Sequence, residues 1–159
     1  GSGICIRSVY QYFPNKELIL HAIVQDWLVE LEEIIVAFPI DSYTKSDRKR
    51  MIDEMSATVS GYSYFTAKKR NLGRLLIVAT NTYPQLDALY QKHIEFNIDS
   101  ILVFLVKAGS KWDESRMREL GRYLFAVRQT IYHVPNDIAE ESVLLREIAL
   151  IALIKESLL

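Results

Sequence analysis

The chain has 159 residues, 50% of them hydrophobic and 25% charged, with a formal net charge of −1. That length supports one well-buried domain and excludes two large ones, and the near-neutral charge excludes a nucleic-acid coat or a basic tail while leaving room for a local basic face. The single cysteine, Cys5, leaves no intrachain disulfide and fits a reducing compartment.

The first predicted elements lie between Gly3 and Glu17, in the run Gly-Ile-Cys-Ile-Arg-Ser-Val-Tyr-Gln-Tyr-Phe-Pro-Asn-Lys-Glu. A short helix over 6–12 carries polar and aromatic side chains, Pro14 breaks it, and a capped long helix follows. This is the layout of a helix-turn-helix. The long helix is predicted over 15–38: Asn15 is a good N-cap, Glu17 suits the positive end of the helix dipole, and Pro39 closes the segment. Ile19, Ile23, Trp27, Leu31, Ile34 and Phe38 recur along it at helical spacing.

A polar loop over 41–45 leads to a third helix, from 46 or 47 to 69, with Met51, Met55, Val59 and Tyr62 on one stripe. A shorter helix covers 72–81. Pro84 opens the next, which Gly109 stops after 108. A further helix spans 113–133, the run Pro135-Asn136-Asp137 breaks the chain, and a last helix runs from 139 to about 157. Period-two runs and Asn-Gly hairpin signals are lacking, so the predicted fold is all-α.

The last helix is apolar in almost every direction, from Val143 through Leu144, Ile148, Ile151 and Leu153 to Ile154. A helix apolar all round is one buried all round, and a chain with few helices is short of cover. A second copy covering one face is the simplest remedy, so a homodimer is expected. The alternative is a central helix wrapped by its own domain. No stretch reaches the roughly 20 apolar residues that cross a bilayer, and no basic segment followed by an apolar one opens the chain. A cytoplasmic protein without a membrane partner is the expectation.

Ser8-Val9-Tyr10-Gln11-Tyr12-Phe13-Pro14-Asn15-Lys16-Glu17 resembles the end of the DNA-binding motif of the TetR family of bacterial transcriptional regulators, and Gly3-Ile4-Cys5 stands where that family usually has Gly-Val-Ser. The match covers about a tenth of the chain. The resemblance implies that 1–14 is the remnant of a helix-turn-helix domain, with the family's first two helices expected before Gly3. It also implies that 15–159 is a helical ligand-binding and dimerisation domain, with 15–38 as the connecting helix. Mapped residue by residue, Ile6, Arg7 and Ser8 face bases, Arg7 with the geometry to meet a guanine edge. Tyr10, Tyr12 and Lys16 meet phosphates. Taken without the motif, the two tyrosines are ordinary amphipathic aromatics and Lys16 is a solvated charge. Cys5 replaces the Ser or Thr that usually caps the reading helix, and a thiol is a poor cap. Operator DNA is therefore expected as a partner of the intact parent only. The family's dimer through its last two helices maps here onto Leu120, Leu124 and Val127 with Leu144, Ile148, Ile151 and Leu153.

A ligand pocket in a helical bundle is mostly apolar with a few inward polar groups. Met55, Thr58 and Tyr62 are candidates on one stripe, and Tyr90, His93 and Asn97 on the helix after Pro84. Tyr123 and Gln129 are candidates on the next helix. Each has an ordinary core or surface explanation; as a set they suggest a site for a small apolar or aromatic ligand. No cofactor is expected and no enzyme. His21, His93 and His133 lack metal-ligand spacing, and no phosphate loop or nucleophile elbow occurs. Glu32-Glu33 and Glu140-Glu141 read as solvated helix surface, as do the basic runs 45–50 and 68–70. The expected function is a ligand-responsive transcriptional regulator, a repressor released from its operator by a small molecule. The alternative is a helical dimerisation or small-ligand-binding module without DNA binding.

Overall fold

Local capping signals set the helix boundaries. The computed structural model describes residues 15–133 and 139–159. Among them lie six α-helices: α1 (Lys16–Val36), α2 (Arg48–Lys68), α3 (Arg70–Thr82), α4 (Pro84–Lys107), α5 (Glu114–Gln129) and α6 (Ala139–Glu156). Short 3₁₀ turns at Ile40–Ser42, Lys45–Asp47 and Thr130–His133 fill the connections. No strand occurs among the described residues, and the fold is all-α as expected. The short helix predicted over 6–12 lies outside the described residues.

Asn15 caps α1 by accepting the Glu17 amide at 2.9 Å, and Asp113 caps α5 by accepting the Arg116 amide at 2.9 Å. Each side chain satisfies an amide that the helix itself leaves unpaired. Pro84 occupies the first turn of α4, where its missing N–H costs nothing. Gly109, at φ +80°, closes the same helix: Gly109 N–H bonds Val106 O at 3.0 Å and Ser110 N–H bonds Leu105 O at 2.9 Å. Only glycine adopts that conformation without strain. Two predicted ends move inward. α1 stops at Val36, which frees Phe38 to turn into the core beside Tyr43 and Phe104. α5 stops at Gln129 and tightens into a 3₁₀ turn through His133.

The core has two centres. Trp27, Leu31, Tyr62, Leu76, Leu86 and Tyr132 gather where α1, α2, α3 and the start of α4 meet. Phe38, Met51, Phe104, Leu105, Leu124 and Leu150 form the other, where α2, α4, α5 and α6 meet. Small residues permit the closest approaches. A Cβ on Gly121 of α5 would stand 3.3 Å from Ile98 Cγ2 of α4. A Cβ on Gly73 of α3 would collide with the ring of Tyr132, which also packs edge-on against Trp27 at 5.9 Å. Arg74 Nε fastens the same turn by donating to Tyr132 O at 2.6 Å.

α6 is not wrapped by its own chain. Leu150 and Ile154 are buried, but Leu144, Leu145 and Ile148 are 56%, 60% and 56% exposed. Within one chain the helix packs on α2, α5 and the turn at Thr130–His133, and the side carrying Leu144, Leu145 and Ile148 stays open. Among the described residues no helix is long and apolar enough to cross a membrane.

Candidate functional site: an apolar cavity with a half-buried arginine

A cavity of about 330 Å³ lies among α1, α2, α4, α5 and α6. Helical spacing builds its walls. Met55, Thr58, Val59 and Tyr62 share one face of α2; Phe96, Ser100 and Phe104, with Asn97 and Ile101, share one face of α4. Ile35 and Phe38 close it from the end of α1, and Ile154 from α6. Val36, Asp99 and Val103 form the rim; all three are exposed, and Asp99 is held outward by Arg118 Nη2 at 3.0 Å.

One cation reaches this apolar space. Arg128, in the last turn of α5, lies over the Tyr62 ring with its guanidinium carbon 4.5 Å from the ring centre. Its Nη1 donates to Asn97 Oδ1 over a long 3.4 Å, and its Nε is buried with no hydrogen-bond partner. No described carboxylate stands within ion-pair distance of it. Burial pushes the Arg128 pKa down, and the phenols of Tyr62 and Tyr132 oppose that shift. An arginine keeps its proton regardless, so the site holds a partly desolvated positive charge.

Asn97 passes the polarity on. Its Nδ2 donates to His93 O at 2.8 Å and lies 3.1 Å from His93 Nε2. An amide nitrogen only donates, so Nε2 is the acceptor and the ring proton sits on Nδ1. That Nδ1–H donates to Glu32 Oε1 at 2.9 Å. The bonds therefore run in one direction, from the Arg128 cation through Asn97 and His93 to the Glu32 carboxylate. They link α5 through α4 to α1. Burial lowers the His93 pKa below its ordinary value; Glu32 opposes that shift and Arg128 adds to it. Tyr90 stacks on His93 at 6.4 Å and, with Phe125, seals the ring from water. Burial pushes the Tyr90 phenol up.

The candidates read from the sequence separate here. Met55, Thr58, Tyr62 and Asn97 line the cavity. His93 and Tyr90 do not line it: His93 is bonded to Asn97 of the wall, and Tyr90 stacks on His93. Gln129 is half-buried and does not line the cavity, although its Oε1 has no partner. Tyr123 is 58% exposed: the buried stripe of α5 is Gly121, Leu124 and Phe125, continuing to Arg128, which turns Tyr123 to the opposite side. Glu32, read as solvated surface, is the partner of His93; the side chains of Glu140 and Glu141 lie outside the described residues. Arg128 was missed because a cation near a helix C-terminus has an ordinary explanation in the dipole. The available signal was its position seven residues after Gly121 on an apolar stripe.

Leu120 and Leu124, expected at a dimer interface, are buried in the chain's own core, and Val127 packs against it. Leu120 and Leu124 have almost no surface to offer a second copy, and Val127 is half-buried. Ile151 and Leu153 are half-buried, whereas Leu144 and Ile148 face outward. Ile6, Arg7, Ser8, Tyr10 and Tyr12 lie outside the described residues; Lys16 is exposed at the start of α1. No group of three or more metal-ligating side chains occurs among the described residues. Comparison with known proteins finds no matching family model, no matching curated protein and no matching solved structure.

Proposed function

We propose that this chain is the sensing and dimerising part of a TetR-like transcriptional regulator, in which a small ligand in the cavity changes how the protein holds operator DNA. The observation that carries this reading is the directed hydrogen-bond series from Arg128, in the cavity wall, to Glu32 on α1. α1 begins immediately after the segment Ser8 to Asn15 that resembles a reading helix and its turn, with Asn15 as its cap. A ligand that engages Arg128 competes with Asn97, and Asn97 is what holds His93 toward Glu32. Occupancy then shifts the seating of α1 on α4. The effect required is a differential affinity between two arrangements, typically about 1–3 kcal/mol in known cases.

The exposed Leu144, Leu145 and Ile148 on α6 support a dimer through that helix. Paired reading helices about 34 Å apart would then meet successive major grooves, and a change in that spacing would release them. Repression lifted by ligand is the consequence expected of such a device. The test is binding of the gene product, with whatever sequence precedes Gly3, to DNA flanking its gene. A protein that binds small ligands and dimerises but never retards that DNA is instead a ligand-binding module without a DNA role.

A further inference from the structure

We infer that the cavity takes an apolar monocarboxylate: a small molecule with a hydrocarbon or aromatic body and one carboxylate, which pairs with Arg128. The inference rests on the proposal that the cavity is a ligand site, and it names the ligand's chemistry.

The polar groups of the wall decide it. Thr58 Oγ1 donates to Glu54 O at 3.1 Å, and Ser100 Oγ donates to Phe96 O at 2.8 Å, so both hydroxyl protons are committed to their own helices. Both Asn97 amide hydrogens are engaged with His93. The Tyr62 hydroxyl and Arg128 remain: the phenol is neutral, and Arg128 is the one cation of the lining, held there only by a long Nη1 bond to Asn97 and the stack on Tyr62. Asp99, the one acid of the lining, already answers Arg118 at the rim. The cavity thus offers a half-buried cation without an acid partner in an apolar surround, and such a cation calls for an anion.

The number and shape of charges narrow the anion. One planar guanidinium matches one carboxylate, with two parallel hydrogen bonds. A phosphate monoester would bring a second negative charge with nothing to answer it. A small inorganic anion would leave the apolar walls, including Phe38, Met55, Phe96 and Phe104, against empty space. An apolar body fills them and excludes water from the ion pair.

The test is calorimetric titration of the 159-residue chain with two matched pairs: decanoate against 1-decanol, and 2-naphthoate against 2-naphthamide. At least one carboxylate is expected to bind about tenfold or more tightly than its neutral match, the range of a charge-assisted hydrogen bond. In Arg128→Gln the preference should shrink to within about twofold while the neutral compound binds as before. Arg128→Lys should keep part of it. Wild-type protein that binds acid and neutral compound equally overturns the carboxylate and leaves the ligand site standing. Wild-type protein that binds neither member of either pair overturns the ligand site and the carboxylate together. A preference that survives in Arg128→Gln places the anion elsewhere and overturns the assignment. If Arg128→Gln fails to fold, the wild-type comparison and Arg128→Lys still decide.

Discussion

His93 on α4 donates its Nδ1–H to Glu32 on α1 at 2.9 Å, and that bond joins the wall of the cavity to the helix that follows the motif. The ring is 2% exposed, with Glu32 and Arg128 as the charged groups that act on it and with Tyr90 and Phe125 packed against it. Such a histidine refuses a proton that the unfolded chain accepts.

The sign of the pH dependence follows. The folded pKa of His93 lies below the ordinary value of about 6.5. Between the two values the unfolded chain binds more protons, so stability rises with pH there. His93 contributes fully above about pH 7.5, and its contribution is lost as pH falls below about 6.5 toward the folded pKa. Urea midpoints measured from about pH 8 to 5.5 should fall more steeply for wild type than for His93→Gln. At the upper pH the variant should be about 1–2 kcal/mol less stable. Parallel curves for the two proteins would contradict this account of the ring.

Arg128 is a cation held in place without an acid. Replacement by an apolar side chain of similar length removes its desolvation penalty. Arg128→Met should therefore melt higher than wild type, by about 2–4 °C for a domain of this size, while losing discrimination between carboxylate and neutral ligands. A lower melting temperature would mean that the stack on Tyr62 and the bond to Asn97 outweigh the buried charge.

Two helical glycines should answer oppositely. A methyl group on Gly73 meets the Tyr132 ring, which is wedged against Trp27 and cannot retreat. Gly73→Ala should cost about 2–3 kcal/mol, the range of overpacking. A methyl group on Gly61, in the exposed face of α2, meets nothing within 4 Å. Gly61→Ala should stabilise by about 0.5–1 kcal/mol through helix propensity. Thermal melts of the pair, compared by circular dichroism, check both signs.

Helix boundaries were legible in the sequence because their causes are local. Asn15, Pro84, Gly109 and Asp113 each act within a few residues of themselves, and each does in the fold what its residue type suggests. The cavity was legible in part. Met55, Thr58 and Tyr62 follow from one stripe, and Asn97 from another. What escaped depends on phase and on partners distant in sequence. Tyr123 sits on a helix whose buried stripe runs through Gly121 and Leu124, so a single residue's offset decides its side. Glu32 looks like any solvated acid until α4 brings His93 to it from 61 positions away. Composition shows that the last helix is apolar all round but not which side its own chain covers; that side is the one carrying Leu150 and Ile154.

The exposed part of α6 gives the proposed dimer its sharpest test. Ile148 touches solvent, so charging it leaves the core intact. Wild type should sediment as a dimer at micromolar concentration, and Ile148→Glu as a monomer with unchanged helix content. A monomeric wild type would remove α6 as an interface.

The central claim is that a ligand in the cavity governs DNA binding by the segment ahead of α1. The most direct measurement is fluorescence anisotropy of the gene product, with the sequence that precedes Gly3, on labelled DNA flanking its gene. The account predicts specific binding whose affinity falls steeply with salt as phosphate contacts are lost, and which a carboxylate that fills the cavity weakens in wild type but not in Arg128→Gln. Absence of binding at low salt, or binding that the cavity ligand leaves unchanged, would contradict it.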